Sequence, residues 1–332
     1  MSNYILVIDG GTTNTRFTLI DDAQTIDTVT KKIGASDTKD STRNISLEEA
    51  VREAVGYMEN THNCRIHTIL AAGMITSNVG LKEVPHLQAP IRLRELARQI
   101  VPCRLPEVCP HGSFYFVPGI KFGSPGESGC DILRGEETEI YGAVPPGDED
   151  KRLLFLHFGS HNKSILYENG SITKAVTTIG GELLWALANH TILKSSVGSL
   201  DDCKLEEEHV RMGYESAQQH SVSRTLFMAR IHQVLGGLSK AQALSFVYGV
   251  LVQSDLSAFA PLLATKPDKL VLYGRSQFAE AFTMCLRAYG PRFEGKIETL
   301  GFEESEQLSI KGLTRIHRDL EKLPPQSCRV PE

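Results

Sequence analysis

The spacing of apolar and polar positions predicts alternating short strands and amphipathic helices. Residues 4–8, Tyr-Ile-Leu-Val-Ile, are apolar on both faces and read as a buried central strand. The run closes on Asp9-Gly10-Gly11-Thr12-Thr13-Asn14, a turn composition, and residues 15–20 resume strand character. Ser46 and Glu49 form a capping-box pattern, with Leu47, Ala50, Val51, Ala54, Val55 and Met58 behind it at helical spacing. A strand is expected over 67–72, running into a loop at Gly73. Residues 104–128 are rich in proline and glycine and predict irregular structure, while 131–142 predicts a helix with Asp131 as N-cap.

The opening theme returns after residues 145–150, a Pro/Gly/acidic stretch suited to a linker. Residues 153–158 form an apolar strand, Gly159-Ser160-His161-Asn162 a polar turn, and 163–168 a second strand. Asn169-Gly170 is a hairpin signal leading into 171–178. Two halves that begin alike predict a duplicated architecture. Helices are expected over 181–193, with Trp185 in the core, over 205–220, and over 239–256 with Ser239 as N-cap. A strand at 269–273 turns through Gly274-Arg275 into a helix capped by Ser276.

At 332 residues the chain exceeds what one core fills, roughly 250 to 300, so two domains are expected. The division is 1–145 and 146–323, with 324–332 a disordered tail. Apolar residues make up 41% and charged residues 23%, which suits two ordinary cores. The formal charge of −5 provides no basic field for nucleic acid or an anionic membrane. The seven cysteines are widely spaced and include no C-x-x-C pair, which reads as a reduced compartment. No leader pattern or membrane-length apolar run stands out, so a cytoplasmic location is expected.

The chemistry sits at the turns. Two glycines and three hydroxyl or amide residues after a buried strand present N–H and hydroxyl groups to phosphate oxygens, which nominates Gly11, Thr12 and Thr13. Asp9 can hold a magnesium ion through its waters beside those phosphates. Gly159, Ser160 and His161 form the second such turn, and the two turns are expected to clamp a triphosphate. Gly274 and Arg275, between a strand and a helix, would let the backbone approach a purine.

In sequence order these pieces resemble the 2-dehydro-3-deoxygalactonokinase family. The resemblance rests on residues 9–16 (Asp-Gly-Gly-Thr-Thr-Asn-Thr-Arg), 72–80 (Ala-Gly-Met-Ile-Thr-Ser-Asn-Val-Gly) and 134–138 (Arg-Gly-Glu-Glu-Thr). Val117-Pro118-Gly119, residues 159–163, Gly181-Glu182-Leu183 and residues 246–256 add to it, so that it covers residue 4 to about 256. The family usually carries Trp-Gly-Ser where this chain has Gly10-Gly11-Thr12, and Pro-Gly-Thr-His where it has Phe158-Gly159-Ser160-His161. It also carries Trp at Ser164 and Thr at Gly180.

The resemblance implies an α/β, two-lobed actin-like ATPase fold with a duplicated mixed-sheet domain and a central cleft. It implies ATP and Mg2+ as cofactors and phosphorylation of the 6-hydroxyl of 2-dehydro-3-deoxy-D-galactonate in galactonate breakdown. Asp131 is the candidate general base, with Glu136 and Glu137 in reserve. Arg16 and Lys82 would hold the substrate carboxylate, with Arg134 and Lys163 next in line, and Asn14, Met74, Ser77 and Asn78 would line the sugar acid. The partners are a small sugar acid and ATP, without nucleic acid or membrane, and the chain is compatible with a homodimer. Two alternatives remain: a kinase of this fold for another sugar acid, and a nucleotide-gated binding module without turnover.

Overall fold

The computed structural model describes residues 4–21, 24–34, 46–200, 204–291 and 293–322. They form two compact units: unit 1 contains 1–150, 169–174 and 306–332, and unit 2 contains 151–168 and 175–305.

Unit 1 runs β1 (Tyr4–Gly10), β2 (Thr15–Asp21), β3 (Gln24–Lys31), α1 (Leu47–His62), β4 (Thr68–Gly73), β5 (Leu87–Gln88), β6 (Ile91–Arg92), α2 (Leu93–Arg98), β7 (Val101–Cys103), β8 (Ser113–Phe116), β9 (Ile120–Phe122), β10 (Asp131–Leu133) and α3 (Glu136–Ala143). Its main sheet has the order β3-β2-β1-β4-β8-β7, and β10-β9-β5 form a small second sheet. β1 is antiparallel to β2 and parallel to β4. Leu6, Ile8, Phe17 and Leu19 from the sheet meet Ala50, Val51, Ala54 and Met58 of α1 in one core. Ser46 caps α1 as expected, its hydroxyl accepting from Glu49 N at 3.2 Å.

The chain continues through β11 (Leu153–Phe158), β12 (Asn162–Glu168), β13 (Ser171–Thr178), α4 (Gly180–His190), α5 (Lys194–Val197), α6 (Glu207–Gln219), α7 (Val222–Val234), α8 (Lys240–Leu263), β14 (Lys269–Gly274), α9 (Ser276–Tyr289), β15 (Lys296–Thr299) and α10 (Phe302–Glu321). The strand order β15-β14-β11-β12-β13 repeats that of unit 1: three consecutive strands lie beside a fourth that is parallel to the first. The repeat expected from the sequence is therefore a repeat of topology. Asn169 and Gly170 both have positive φ, 52° and 76°, the backbone that a two-residue hairpin of the predicted kind demands.

α8 is long and apolar enough to cross a membrane by length and composition, a feature the sequence reading missed, but 67% of that window is buried inside the structure. It is the central helix of unit 2. Glycines let it approach α6 backbone to backbone: a Cβ on Gly213 would lie 2.0 Å from Phe246 O, and one on Gly249 1.9 Å from Val210 O.

Several expectations need correction. The region 104–128 contains β8 and β9, because Phe114, Phe116, Ile120 and Phe122 alternate into the interior. Asp131 begins a strand rather than a helix; α3 starts five residues later behind Gly135. The N-cap of α9 is Arg275 and not Ser276. α7 and α10 were not foreseen, and α8 extends seven residues beyond 256, past Pro261. Trp185 is 49% exposed and lies against His190 instead of entering the core. The expected tail, 324–332, lies outside the described residues.

The boundary between units falls at 150/151 rather than 145/146, and from Glu306 onward the chain rejoins unit 1. α10 docks on α3, where a Cβ on Gly312 would lie 1.8 Å from Thr138 O and one on Gly142 2.0 Å from Leu308 O. Arg315 fastens the contact by donating to the carbonyls of Tyr141 and Val144, both at 2.6 Å. Gly312→Ala should therefore lower stability by at least about 2–3 kcal/mol, the upper range for overpacking. Gly56→Ala, in α1 with open space around its Cα, should raise it by about 0.5–1 kcal/mol. Thermal unfolding of the two variants checks both signs.

Candidate active site

In unit 1 the parallel pairing of β1 with β4 sets Asp9 beside Ala72 and Gly10 beside Gly73. Both strands thus end in glycine at the carboxyl edge, where open α/β sheets gather their ligands. Gly73 has φ 79°, and a Cβ there would lie 2.3 Å from Gly10 O. Gly10 is equally constrained, its added Cβ falling 2.7 Å from Ile75 N. The third glycine, Gly135, has φ 114° at the N-cap of α3, and its Cβ would lie 3.3 Å from Gly73 Cα. Three segments far apart in sequence therefore converge through bare backbone.

Asp9 lies at this junction. Desolvation raises its carboxyl above the usual carboxylate range; Arg16 opposes the shift and Glu136 adds to it. Asp9, Arg16 and Glu136 thus share one electrostatic neighbourhood. The turn beyond Asp9 is closed by Gly11 N donating to Asn14 O at 2.8 Å. Gly34 backs it, since a Cβ there would lie 2.4 Å from Thr12 O, and Thr15 Oγ1 donates to Ile33 O at 2.7 Å. Thr13 and Asn14 are left exposed.

The loop after Gly73 begins with a single 3₁₀ turn, Met74–Thr76. Ser77 spends its hydroxyl proton on Met74 O at 2.7 Å, whereas Asn78 and Lys82 are exposed. Arg134 fastens this loop: it donates to Thr76 O at 2.6 Å, to Thr76 Oγ1 at 2.5 Å and to Val84 O at 3.0 Å, and its Nη2 lies 3.1 Å from the ring nitrogens of His86. Burial, reinforced by Arg134, pushes His86 down to about 4, so the ring is neutral. Arg134 thus spends its Nη donors on bracing this loop. Arg16 is ion-paired with Glu306 of α10.

The three candidate bases differ sharply. Asp131 lies on the small second sheet, its carboxylate accepting from Ile132 N at 2.7 Å. Glu136 lies in the first turn of α3, accepts from Arg134 N at 3.0 Å and is near enough to Asp9 to raise it. Glu137 is completely buried, with Gly135 N donating to both its oxygens at 2.9 and 2.8 Å. Burial, with Glu136 adding, pushes Glu137 up to about 8. A carboxyl that is protonated at neutral pH accepts no proton, so Glu137 holds Gly135 in place instead.

In unit 2 the turn Gly159–His161 leaves β11, and a Cβ on Gly159 would press on the His157 ring at 3.0 Å. A Cβ on Gly181, at the start of α4, would lie 1.8 Å from Gly159 O, and Glu182 N donates to Ser160 O at 2.7 Å. His161 pairs with Glu182 at 3.1 Å, and the buried Lys163 donates to Thr177 Oγ1 at 3.2 Å. Gly274 sits beside Phe158 in the parallel β11/β14 pair with φ 99°, and Arg275 N donates to Phe158 O at 2.7 Å. Both expected nucleotide turns of this unit therefore leave the carboxyl ends of neighbouring strands.

Gly34, Glu306 and Asp255 escaped the sequence reading. Gly34 and Glu306 carry no local signal, since each matters through a contact distant in sequence. Asp255 had one, as the lone charge in the apolar run of α8.

Glu137 makes stability depend on pH with a definite sign. Its ordinary value is near 4.5 and its folded value about 8. Between these the folded chain keeps a proton that the unfolded chain has lost, so stability falls as pH rises through this window. Glu137→Gln removes the dependence. Its melting temperature relative to the parent protein should climb steadily from pH 5 to 8, and a difference that does not vary with pH would show that the carboxyl is not held protonated.

The chain matches the family model described as 2-keto-3-deoxy-galactonokinase over residues 9–316. It is 23% identical over 218 residues to the 2-dehydro-3-deoxygalactonokinase of Escherichia coli (strain K12), covering 64% of this chain and 70% of that one. Among solved structures it is similar to one from Sinorhizobium meliloti described as a 2-dehydro-3-deoxygalactonokinase protein, with TM-score 0.74, 21% identity and coverage of 96% of this chain and 100% of that one. It is also similar to component A of the (R)-2-hydroxyglutaryl-CoA dehydratase of Acidaminococcus fermentans, with TM-score 0.50, 14% identity and coverage of 95% and 98%. With its duplicated strand order and its glycine-built turns, the chain belongs to the 2-keto-3-deoxy-galactonokinase family, sugar kinases of the actin-like ATPase fold.

Proposed function

We propose that this kinase transfers the γ-phosphoryl group of ATP to the 6-hydroxyl of 2-dehydro-3-deoxy-D-galactonate, a step of galactonate breakdown in the cytoplasm. The observation that carries the reading is the convergence of Gly10, Gly73 and Gly135, which gathers the first phosphate turn, the sugar-acid loop and the Arg-Gly-Glu-Glu run at one sheet edge.

The residues present fit a phosphate and a magnesium ion. Gly11 is held so tightly that a Cβ would lie 2.8 Å from Asn14 O, a cradle that only glycine forms. Among the described residues no three His, Cys, Asp or Glu side chains converge as a metal cluster. Asp9 would therefore hold magnesium as a single carboxylate acting through waters, and its raised proton affinity marks a site that gains from a cation. When bound, magnesium neutralises charge developing on the transferred phosphoryl group.

Gly11, Thr12 and Thr13 of unit 1 and Gly159 and Ser160 of unit 2 are assigned to phosphate oxygens, and Gly274 and Arg275 to adenosine. Arg16, with guanidinium donors beyond the Nη2 that meets Glu306, and the exposed Lys82 are assigned to the substrate carboxylate. Asn14, Met74 and Asn78 line the sugar acid. Glu136 replaces Asp131 as the proposed proton acceptor, on the strength of its proximity to Asp9. The 6-hydroxyl attacks the γ-phosphorus, its proton passes to Glu136, and the bond to the bridging oxygen breaks to release ADP.

Incubation of 2-keto-3-deoxy acids with MgATP, followed by ADP release, tests the reading: the galacto acid should be preferred, and preference for another acid or the absence of turnover would overturn it. Asp9→Asn should abolish transfer with the fold intact, since the shape remains and the charge is lost. Glu136→Gln should lower kcat by about 10² to 10⁴, while Asp131→Asn leaves it within a fewfold. The reverse pattern returns the base to Asp131.

A further inference from the structure

The second phosphate turn depends on a carboxylate from the core. Asp255 lies inside α8 at 2% exposure, among the apolar residues of that helix. One of its oxygens accepts from Asn162 Nδ2 at 2.7 Å and the other from Thr178 Oγ1 at 2.7 Å. Asn162 is the residue directly after His161, where the turn becomes β12, and Thr178 ends β13, two residues before α4. Between them lies Gly180, where a Cβ would fall 2.6 Å from Asn162 Nδ2 and 2.9 Å from Asp255 Oδ2. A side chain at Gly180 would press on both partners, and the bare backbone there leads directly to Gly181, packed against Gly159 O, and to Glu182, whose N donates to Ser160 O.

We propose that Asp255 is a positioning residue for nucleotide binding: by holding Asn162 and Thr178 together it sets the turn Gly159–His161 against the first residues of α4. This rests on the kinase reading, in which that turn contacts phosphate. A carboxylate suits the task because Asn162 and Thr178 each present a donor, and one acidic group accepts from both without offering a proton of its own. A buried charge on an apolar helix is costly unless its partners are fixed, so the pair Asn162/Thr178 is ordered by the same interaction that makes Asp255 tolerable. Two further buried polar atoms, Asn162 Oδ1 and Ser164 Oγ, have no hydrogen-bond partner among the described residues. Among the described residues Asp255 is the acceptor that holds the Asn162 amide, at the point where the turn enters β12.

The test compares Asp255→Ala, Asp255→Asn and Thr178→Val with the parent protein. Calorimetric binding of ADP and steady-state KM values for ATP and for the sugar acid are measured on the full chain, beside the melting temperature. Asp255→Asn and Thr178→Val keep the shape of the site and serve where Asp255→Ala does not fold. Loss of one hydrogen bond to a charged group converts to about 10-fold or more in affinity. ADP affinity and the KM for ATP should therefore worsen by about that factor in Asp255→Ala and Thr178→Val, while the KM for the sugar acid stays within about twofold. Asp255→Asn should recover part of the loss, because its Oδ1 still accepts from Thr178 and its amide can donate to Asn162 Oδ1 once the Asn162 amide rotates. Variants that melt earlier yet bind ADP as the parent does would overturn the proposal, leaving Asp255 a core hydrogen bond only. A parent protein that binds no nucleotide would instead overturn the kinase reading, and this one with it.

Discussion

The first unit depends on one constraint, the absence of side chains where β1, β4 and the start of α3 meet. Gly10 and Gly73 bring backbone to backbone at distances no Cβ permits, and Gly135 joins them where an added Cβ would lie 3.3 Å from Gly73 Cα, with a φ of 114° that favours glycine. The consequence reaches beyond packing. Asp9 and Glu136 are each one residue from a junction glycine, so the junction sets where their side chains leave the main chain. Around the junction the side chains supply restraint: Arg134 fixes the Gly73 loop through three carbonyl or hydroxyl acceptors, and Glu137 clasps Gly135 N. Glu137 is buried and Arg134 half-buried, and each is met by fixed hydrogen-bond partners, the arrangement that makes such groups tolerable inside a protein.

The second unit repeats the strand order but solves the same problem differently. Its turn after β11 is held by the start of α4, through Gly181 and Glu182, and by Asp255 reaching in from α8. The duplication therefore preserves topology and the location of turns at strand ends, while the supporting chemistry has diverged. Unit 1 uses a cation and an acid on a loop, and unit 2 uses one carboxylate from a core helix. That helix is apolar enough to be taken for a membrane span, yet Gly249 and its counterpart Gly213 on α6 embed it in the interior.

What could be read in the sequence divides along a physical line. β1, the Asn169-Gly170 hairpin and the caps at Ser46 and Ser239 follow from local rules of period and capping, and each stands where the pattern put it. Asp131 misled because an N-cap residue ahead of a helix-like stretch looks the same whether the helix starts there or after Gly135; only pairing with β9 decides it. α10 carries an amphipathic pattern, but its return to unit 1 rests on Gly312 meeting Thr138, a contact 174 positions apart that no local window contains. The turns after β1 and β11 were legible as turns for the same reason as the hairpin, since glycine and short polar residues after an apolar strand break it locally. Their supports, Gly34 and Asp255, were not, because support is a tertiary relation.

The distribution of charge gives the site its direction. Glu136 adds to the cost of ionising Asp9, Arg16 is shared with Glu306, and Arg134 is engaged by the Gly73 loop. Unit 1 thus concentrates carboxylates at the very edge where an anionic phosphate and an anionic substrate are proposed to meet. Burial and a neighbouring like charge both disfavour an ionised Asp9, and on the proposed reading a cation arriving with the nucleotide would offset that cost. A free sugar acid, bringing only more negative charge, cannot supply that offset by itself.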